Sequence, residues 1–391
     1  MQIVKDTQGL IAACNEMAKF DWCTIDTEFL RESTFWPELC LVQMASPEEA
    51  WIIDVLAEGI DLSALFELLS NETVVKVFHA ARQDIEIFHN LSGKIPHPVF
   101  DTQVAAMVCG FGDSISYDQL VFKITGVRLD KSSRFTDWSK RPLSEKQLTY
   151  ALADVTHLRD TYLAIRANLE EQNRSHWVAE EMNILTSVET YDMPPENAWK
   201  RLKMRARKPV ELAILKSVAE WRERTARERN VPRGRVIRDD AIYEICTQPP
   251  RSIKDFGNLR GASKSFDRNR YGDGLLTAVA TALEIPKDQL PKLPRPKHMP
   301  EGCQAATEML KVLLKLVAEK QGVAAKIIAT VDDLEKIAAD CDADIAALRG
   351  WRKELFGKHA LDLKNGKLAL GYANGSVQII SIDKNKTATV A

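Results

Sequence analysis

The sequence predicts an α/β domain, a mixed sheet with flanking helices, followed by two all-helical modules. Three observations carry that expectation. Three β-rich stretches stand close together near the start, strand and helix patterns alternate after them, and from Glu211 onward the pattern is almost wholly helical. At 391 residues, the chain is long enough for two or three domains.

Cys23–Phe29, Leu39–Ala45 and Ala50–Val55 are rich in β-formers and separated by short turn-like pieces, so they predict an antiparallel meander. Leu62–Ser70 then reads as helix, Val74–His79 as a buried strand, Arg82–Asn90 as helix and Pro98–Asp101 as a further strand. Helical patterns follow at Thr102–Cys109, Tyr117–Thr125 and Ser144–Gln172. A break near Met193, Pro194 and Pro195 closes a first domain spanning 1–195. The basic run Lys200, Arg201, Lys203, Arg205, Arg207, Lys208 leads into a helical module over 205–285, with loops at Pro232, Pro249 and Gly261. Five prolines make 286–300 an extended connector. A second helical module covers 301–370, and 371–391 is a tail in which Val377–Ile382 alternates loosely, as a strand or a frayed end. Both modules are similar in length and carry a late Gly-containing loop, at Arg260-Gly261 and Arg349-Gly350, which suggests a faint duplication.

With 45% hydrophobic and 28% charged residues, the composition excludes a disordered, collagenous or disulfide-stapled chain. No basic start precedes an apolar run, which predicts neither secretion nor a membrane span. The seven cysteines form no Cys-x-x-Cys pair and are expected as reduced thiols in a cytoplasmic protein, with neither zinc nor disulfides. The net charge of -2 conceals an asymmetry. Residues 1–198 carry 16 Lys+Arg against 31 Asp+Glu, residues 199–298 carry 24 against 12, and 299–391 carry 13 against 12. An acidic module beside a basic one fits a metal-loaded site next to a nucleic-acid clamp, and equally two differently solvated surfaces.

The chemistry concentrates in a few carboxylates. Asp26 and Glu28, at i and i+2 of an apolar strand, share one face, which costs several kcal/mol unless cations or donors compensate them. A solvated strand face is the alternative. Asp84 follows one strand run and Asp101 ends another, where α/β sheets build their sites. Each is equally explained as a first-turn or capping acid. Tyr150 and Asp154 stand one turn apart on a helix, as a catalytic pair or as an amphipathic boundary. Together the four carboxylates suit two hard divalent cations, Mg²⁺ or Mn²⁺, acting on a phosphodiester, with a tyrosine hydroxyl orienting water.

Three blocks in this order and spacing, Asp26-Thr27-Glu28-Phe29, then Val77-Phe78-His79-Ala80-Ala81-x-x-Asp84, then Tyr150-x-x-x-Asp154, resemble the motifs of the DEDDy 3′→5′ exonucleases. The resemblance implies a ribonuclease H-like fold, Asp26, Glu28, Asp84 and Asp154 as metal-binding carboxylates, and Tyr150 as the water-positioning residue. Asp101 becomes a cap or support residue. Phe29, Thr27 and His79 fall in the motif blocks as substrate-side candidates. Leu212–Arg229, Val231–Ile237 and Leu259–Gly261 look like an HRDC domain, and Pro300–Leu355 like a divergent second copy without the Trp221-Arg222 and Val231-Pro232 features. That architecture is similar to the ribonuclease D family. It implies an exoribonuclease acting on RNA 3′ ends, tRNA precursors among them.

The cluster Arg222, Arg224, Arg227, Arg229, Arg233, Arg235 and Arg238 is the expected phosphate contact, with a solvated helix face as the alternative. No Gly-x-x-x-x-Gly-Lys loop occurs, so no nucleotide cofactor is expected, and the chain is expected as a monomer. A DEDDy DNA exonuclease and a catalytically inactive nucleic-acid-binding scaffold are the rival readings.

Overall fold

The computed structural model describes residues 2–204, 206–259, 266, 268–293 and 300–382. Arg205, the loop at Arg260-Gly261, and Pro294 and Pro296 of the connector lie outside the described residues.

A six-stranded mixed sheet organises the first domain. The meander is there as β2 (Trp22–Leu30), β3 (Glu38–Ala45) and β4 (Ala50–Ile53), and β5 (Val75–Phe78) and β6 (Val99–Asp101) add parallel to β2. An edge strand β1 (Gln2–Val4), parallel to β4, and a helix α1 (Thr7–Met17) precede them, giving the order β1-β4-β3-β2-β5-β6. Neither was expected. β1 is only three residues long, and α1 is readable chiefly from its Asp6 cap, which accepts from Gly9 N at 2.8 Å.

Helices α2 (Ser63–Leu69), α3 (Arg82–Ser92), α4 (Thr102–Val108), α5 (Tyr117–Thr125) and α6 (Glu145–Glu171) fall where the pattern put them. Ser144 and Gln147 form a reciprocal capping box that starts α6, and glycines in the left-handed region end α3 and α5. Helix α7 (Ser175–Leu185) was not anticipated: it follows α6 after only three residues, and no side-chain cap marks where it starts.

The two helical modules share one element order. α8 (Pro209–Glu228), α9 (Arg233–Val236), α10 (Asp239–Thr247), a 3-10 turn at Ile253–Asn258 and α11 (Arg268–Leu283) build the first. The second has α12 (Cys303–Gln321), α13 (Ala325–Ile328), α14 (Val331–Ala339) and a 3-10 turn at Ala346–Leu348. Helical turns then continue from Gly350–Arg352 through Lys353–Gly357 to Lys358–Lys364. The order matches between the two modules, and the first three helices in each are nearly equal in length. The tail is more ordered than a frayed end over part of its length: β7 (Leu368–Ala373) pairs with β8 (Ser376–Ser381) in an antiparallel hairpin, so a break at 370 cuts a strand.

The modules attach differently. The second shares a core with the first domain, and Trp177 of α7 stacks on Trp351 at 4.4 Å and 9°. Ala324 N donates to Met107 O at 2.8 Å, and Arg174 reaches Val108 O and Gln321 O. Gly110, at φ +79°, approaches Gly322 so closely that a Cβ there would lie 2.5 Å from its carbonyl oxygen. The first module has its own core, which takes in Phe35 from the first domain. Asn230 Oδ1 there accepts from the backbone N–H groups of Phe35 and Trp36 at 3.1 and 3.0 Å.

Trp351 is 5% exposed within the shared core. Trp351→Ala is expected to cost about 3 kcal/mol or more in urea unfolding, with faster proteolysis between the helical modules as the second undocks.

Candidate active site

β2 brings Asp26 and Glu28 to the face that packs on α6, where Thr24 of the same face donates its hydroxyl to Val155 O at 2.9 Å. α6 returns Tyr150 and Asp154, one turn apart and hydrogen-bonded to each other. Carboxylate oxygens of Asp26, Glu28 and Asp154 lie within 4.8 Å of one another. Asp84 arrives from the first turn of α3, buried, its Oδ1 accepting the Thr27 hydroxyl at 2.5 Å. The β2–β3 register shifts between Glu28 and Phe29, and such a bulge re-aims side chains at a strand end.

The electrostatics of the cluster are unfavourable as they stand. Burial, then the charge of Asp26, then Asp154 and Asp84, pushes Glu28 up to about 10. Burial pushes Asp154 up to about 7, against the pull of its Tyr150 hydrogen bond and Arg134. Asp26 and Asp84 stand well above the usual carboxylate range, by burial first and then by repulsion from Asp154 and Asp26 respectively. The Tyr150 hydroxyl is also raised, by burial and then by Asp154, so it stays protonated and donates. Gln43, opposite Asp26 in the ladder, is fully buried, yet neither its amide oxygen nor its nitrogen has a partner among the described residues. A convergent all-oxygen set with uncompensated charge is chemistry that hard divalent cations complete.

Three devices hold the carboxylates there. Asp101 caps α4 through Gln103 N at 2.8 Å and also binds Ala80 N and Ala81 N at 3.0 and 2.9 Å, fixing the turn before Asp84. Ala80 sits at φ +60°, a conformation that needs such support. The Tyr117 hydroxyl donates to Ala153 O at 3.1 Å beside Asp154. Arg141 binds Asp54 and the carbonyls of Trp138 and Cys40, steadying buried Trp138 against Tyr150.

The motif residues thus converge. A cavity of about 270 Å³ opens beside them, with Asp26, Tyr150 and Asp154 on one wall and His79, Gln103, Lys131 and Arg134 on others. His79 stands at its rim, with Nε2 donating to Ile115 O and Nδ1 3.0 Å from Thr102 Oγ1. Burial lowers its pKa and keeps it neutral. Phe29 is half-buried against the domain core. Thr27 is a correction: it is 5% exposed and its hydroxyl is committed to Asp84, so it positions a carboxylate rather than meeting substrate. Lys131, Arg134 and Tyr117 were missed because nothing in their local spacing separates them from surface residues. Gln43 was readable as the lone amide in an apolar strand.

The arginines do not form one free face. Arg222 is 5% exposed, and its guanidinium binds Ile237 O and Asp239, which corrects its reading as a phosphate contact; a buried cation needs such partners. Arg227 and Arg233 share the buried Glu223. Arg224 is exposed and pairs with Glu220, whereas Arg235 is exposed with no ion pair among the described residues.

A family model described as a 3'-5' exonuclease matches residues 1–170, and an HRDC domain model matches 211–279. The chain is 54% identical to a ribonuclease D of Nitrobacter hamburgensis over 377 residues, 96% of this chain and 98% of that one. Against a ribonuclease D of Bartonella henselae it is 50% identical over 378 residues, 96% and 93% of the two chains. The crystal structure of Escherichia coli RNase D, described as an exoribonuclease involved in structured RNA processing, matches with a TM-score of 0.81. That match has 28% identity and covers 93% of this chain and 98% of that one.

Neutralising one carboxylate relieves the repulsion, so Asp26→Asn should stabilise the metal-free protein by on the order of 1 kcal/mol, read as Tm in EDTA. Raised folded-state values mean that the folded chain holds protons the unfolded chain has lost. Wild-type stability in EDTA therefore falls as pH rises from about 4.5 through 7, and the slope is shallower in the variant.

Proposed function

Since the chain belongs to the ribonuclease D family, and is therefore a metal-dependent 3′→5′ exoribonuclease, we propose that it trims small structured RNAs, tRNA precursors among them, one nucleotide at a time. The observation that carries this reading is the convergence of Asp26, Glu28 and Asp154, with Asp84 alongside, at a cavity of about 270 Å³ whose lining includes Asp26, Tyr150 and Asp154. Two stacked, base-paired strands do not enter a space of that volume, so the substrate end is single-stranded. The structured-RNA role described for the Escherichia coli relative supports the substrate class.

In this reading Asp26, Glu28, Asp84 and Asp154 hold two divalent cations, Mg²⁺ or Mn²⁺. Ions bound there supply positive charge beside the scissile phosphate and acidify water. Tyr150, kept protonated and anchored to Asp154, orients the attacking water. Asp101, Thr27 and Tyr117 keep the carboxylates in register for in-line displacement. Water adds to phosphorus, the bond to the preceding 3′ oxygen breaks, and a nucleoside 5′-monophosphate leaves. His79 and Phe29 flank the terminal nucleotide, and exposed Arg224 and Arg235 contact the RNA body. All four carboxylates come from one chain, which suits a monomer. The described residues include no helix long and apolar enough to cross a membrane, and the seven cysteines are free, which suits the cytoplasm. Neither a DNA exonuclease nor an inactive scaffold is favoured, because the relatives are named ribonucleases and the motif set is intact.

The test is time-resolved degradation of a 5′-labelled, 3′-tailed hairpin RNA and its DNA analogue, with Mg²⁺, Mn²⁺ or EDTA. A one-nucleotide RNA ladder, faster than on DNA and lost in EDTA, is expected. Asp26→Asn should lower kcat by about 10³-fold or more, and Tyr150→Phe by about 10²-fold. Preferential DNA cleavage, or RNA binding without cleavage in either metal, overturns the proposal.

A further inference from the structure

Five arginines converge where the first domain meets the first helical module. Arg31 follows β2, Arg82 opens α3, Arg201 ends the 3-10 segment Pro195–Arg201, and Arg227 and Arg233 come from α8 and α9. With Phe35 and Trp36 they line a pocket of about 140 Å³.

Two carboxylates stand against these five cations. Glu86 pairs with both terminal nitrogens of Arg31, at 2.8 and 3.0 Å, and Glu223 takes Arg227 and Arg233. Arg82 and Arg201 are exposed and make no ion pair or hydrogen bond among the described residues. Partial desolvation of its guanidinium, then the neighbouring Arg233, lowers the pKa of Arg201, although the residue as a whole reaches solvent.

The wall is held in place. Phe35 and Trp36 meet edge to face at 4.6 Å, and the Arg233 guanidinium lies 4.4 Å from the Phe35 ring centre. Arg227 sits 5.7 Å from both rings. Stacked guanidinium groups are oriented in advance, which reduces the entropy lost when they bind an anion. Half-buried Trp36 also offers an aromatic surface to a base.

The position matters as much as the charge. Arg31 lies three residues beyond Glu28 on the same stretch of chain, about 10 Å at strand rise. Arg82 lies two residues before Asp84. A polyanion entering the carboxylate site is repelled by it, and this neighbouring cationic pocket offsets the repulsion. We propose that the pocket binds a backbone phosphate of the RNA strand a few nucleotides 5′ of the scissile bond. The proposal rests on the exoribonuclease reading and adds Arg31, Arg82 and Arg201 to the RNA-contacting residues. A tetrahedral phosphate presents several acceptors to forked donors, the geometry in which arginine exceeds lysine.

The test is Arg82→Gln/Arg201→Gln in the full chain, the two arginines with no protein partner to strand. Binding of a 5′-labelled 12-nucleotide RNA in EDTA, in an Asp26→Asn background, should weaken about tenfold. The slope of log K against log salt should flatten by about 0.7 for each phosphate that the variant no longer neutralises. In the active background KM for the same RNA rises. Turnover of the p-nitrophenyl ester of thymidine 5′-monophosphate, too short to span both sites, stays at the parent value. An unchanged Kd and salt slope overturns the proposal, as does equal loss on ester and RNA, which would make the arginines supports for the carboxylates. Inorganic phosphate binding that the variant loses while RNA binding is untouched would make this a free-anion site and overturns it too. A parent enzyme that hydrolyses the ester but leaves the RNA intact would sink the exoribonuclease reading, and this inference with it.

Discussion

Repulsion among four buried or half-buried carboxylates is the constraint on which the rest of the structure depends. In a medium of low effective dielectric, like charges this close cannot all remain ionised without cations. The burial-driven rise of Glu28 to about 10 expresses that conflict in the folded chain. A site of this kind opposes folding until it is loaded, so stability has to come from elsewhere. Strand β3, buried from Leu39 to Ala45, the α6 packing and the shared core with the second helical module supply it.

The supports around the cluster follow from the same constraint. The four carboxylates arrive from three types of element: a bulged strand that carries two of them, the first turn of a helix, and the face of a long helix. None of the three would hold its acid alone against the others. Asp101 ties the turn before α3 to α4, Thr27 ties β2 to Asp84, and Tyr117 ties α5 to α6. These groups need never touch substrate. They convert four acids from three elements into one fixed oxygen array, and such preorganisation is where much of the power of an electrostatic site resides.

The sequence revealed most of this site, because its chemistry is local. Two acids at i and i+2 of an apolar strand, and a tyrosine one turn from an aspartate, are patterns a single segment displays. Strands β2 to β6 and helices α2 to α6 were legible for the same reason: each is a run whose own residues show a β-rich or helical pattern, with side-chain caps at α4 and α6. What was not legible depends on partners far away in sequence. Arg222 and Arg235 look alike in one basic run, yet the first is buried on Asp239 and the second faces solvent. Thr27 looked like a substrate-side hydroxyl until α3 brought Asp84 to it from 57 residues away. Gln43 sat in plain view, but its position opposite Asp26 is a matter of register that only pairing defines.

The two helical modules show how one arrangement can serve opposite ends. Both run long helix, four-residue helix, nine-residue helix, 3-10 turn and closing helix. In the second, a Trp-Arg pair at Trp351 and Arg352 turns inward: the indole stacks on Trp177, and the guanidinium binds Ile327 O and Glu181. Its surface is nearly charge-balanced, and docking uses up its apolar face. In the first, the Trp221-Arg222 pair lies on α8, with Arg222 closing the module on itself through Asp239 while the Arg227 and Arg233 side of the module turns toward the first domain. That module therefore meets the first domain through cations and two aromatic rings rather than through a continuous core. Among the described residues no ion pair joins the two across this seam, since Glu86 pairs with Arg31 within the first domain and Glu223 with Arg227 and Arg233 within the module, so charge does little to fasten them. The seam instead leaves positive charge next to an acidic site that must admit a polyanion. The difference follows from which face each module buries: the second gives its apolar face to the first domain, and the first keeps its cations near the acidic cluster.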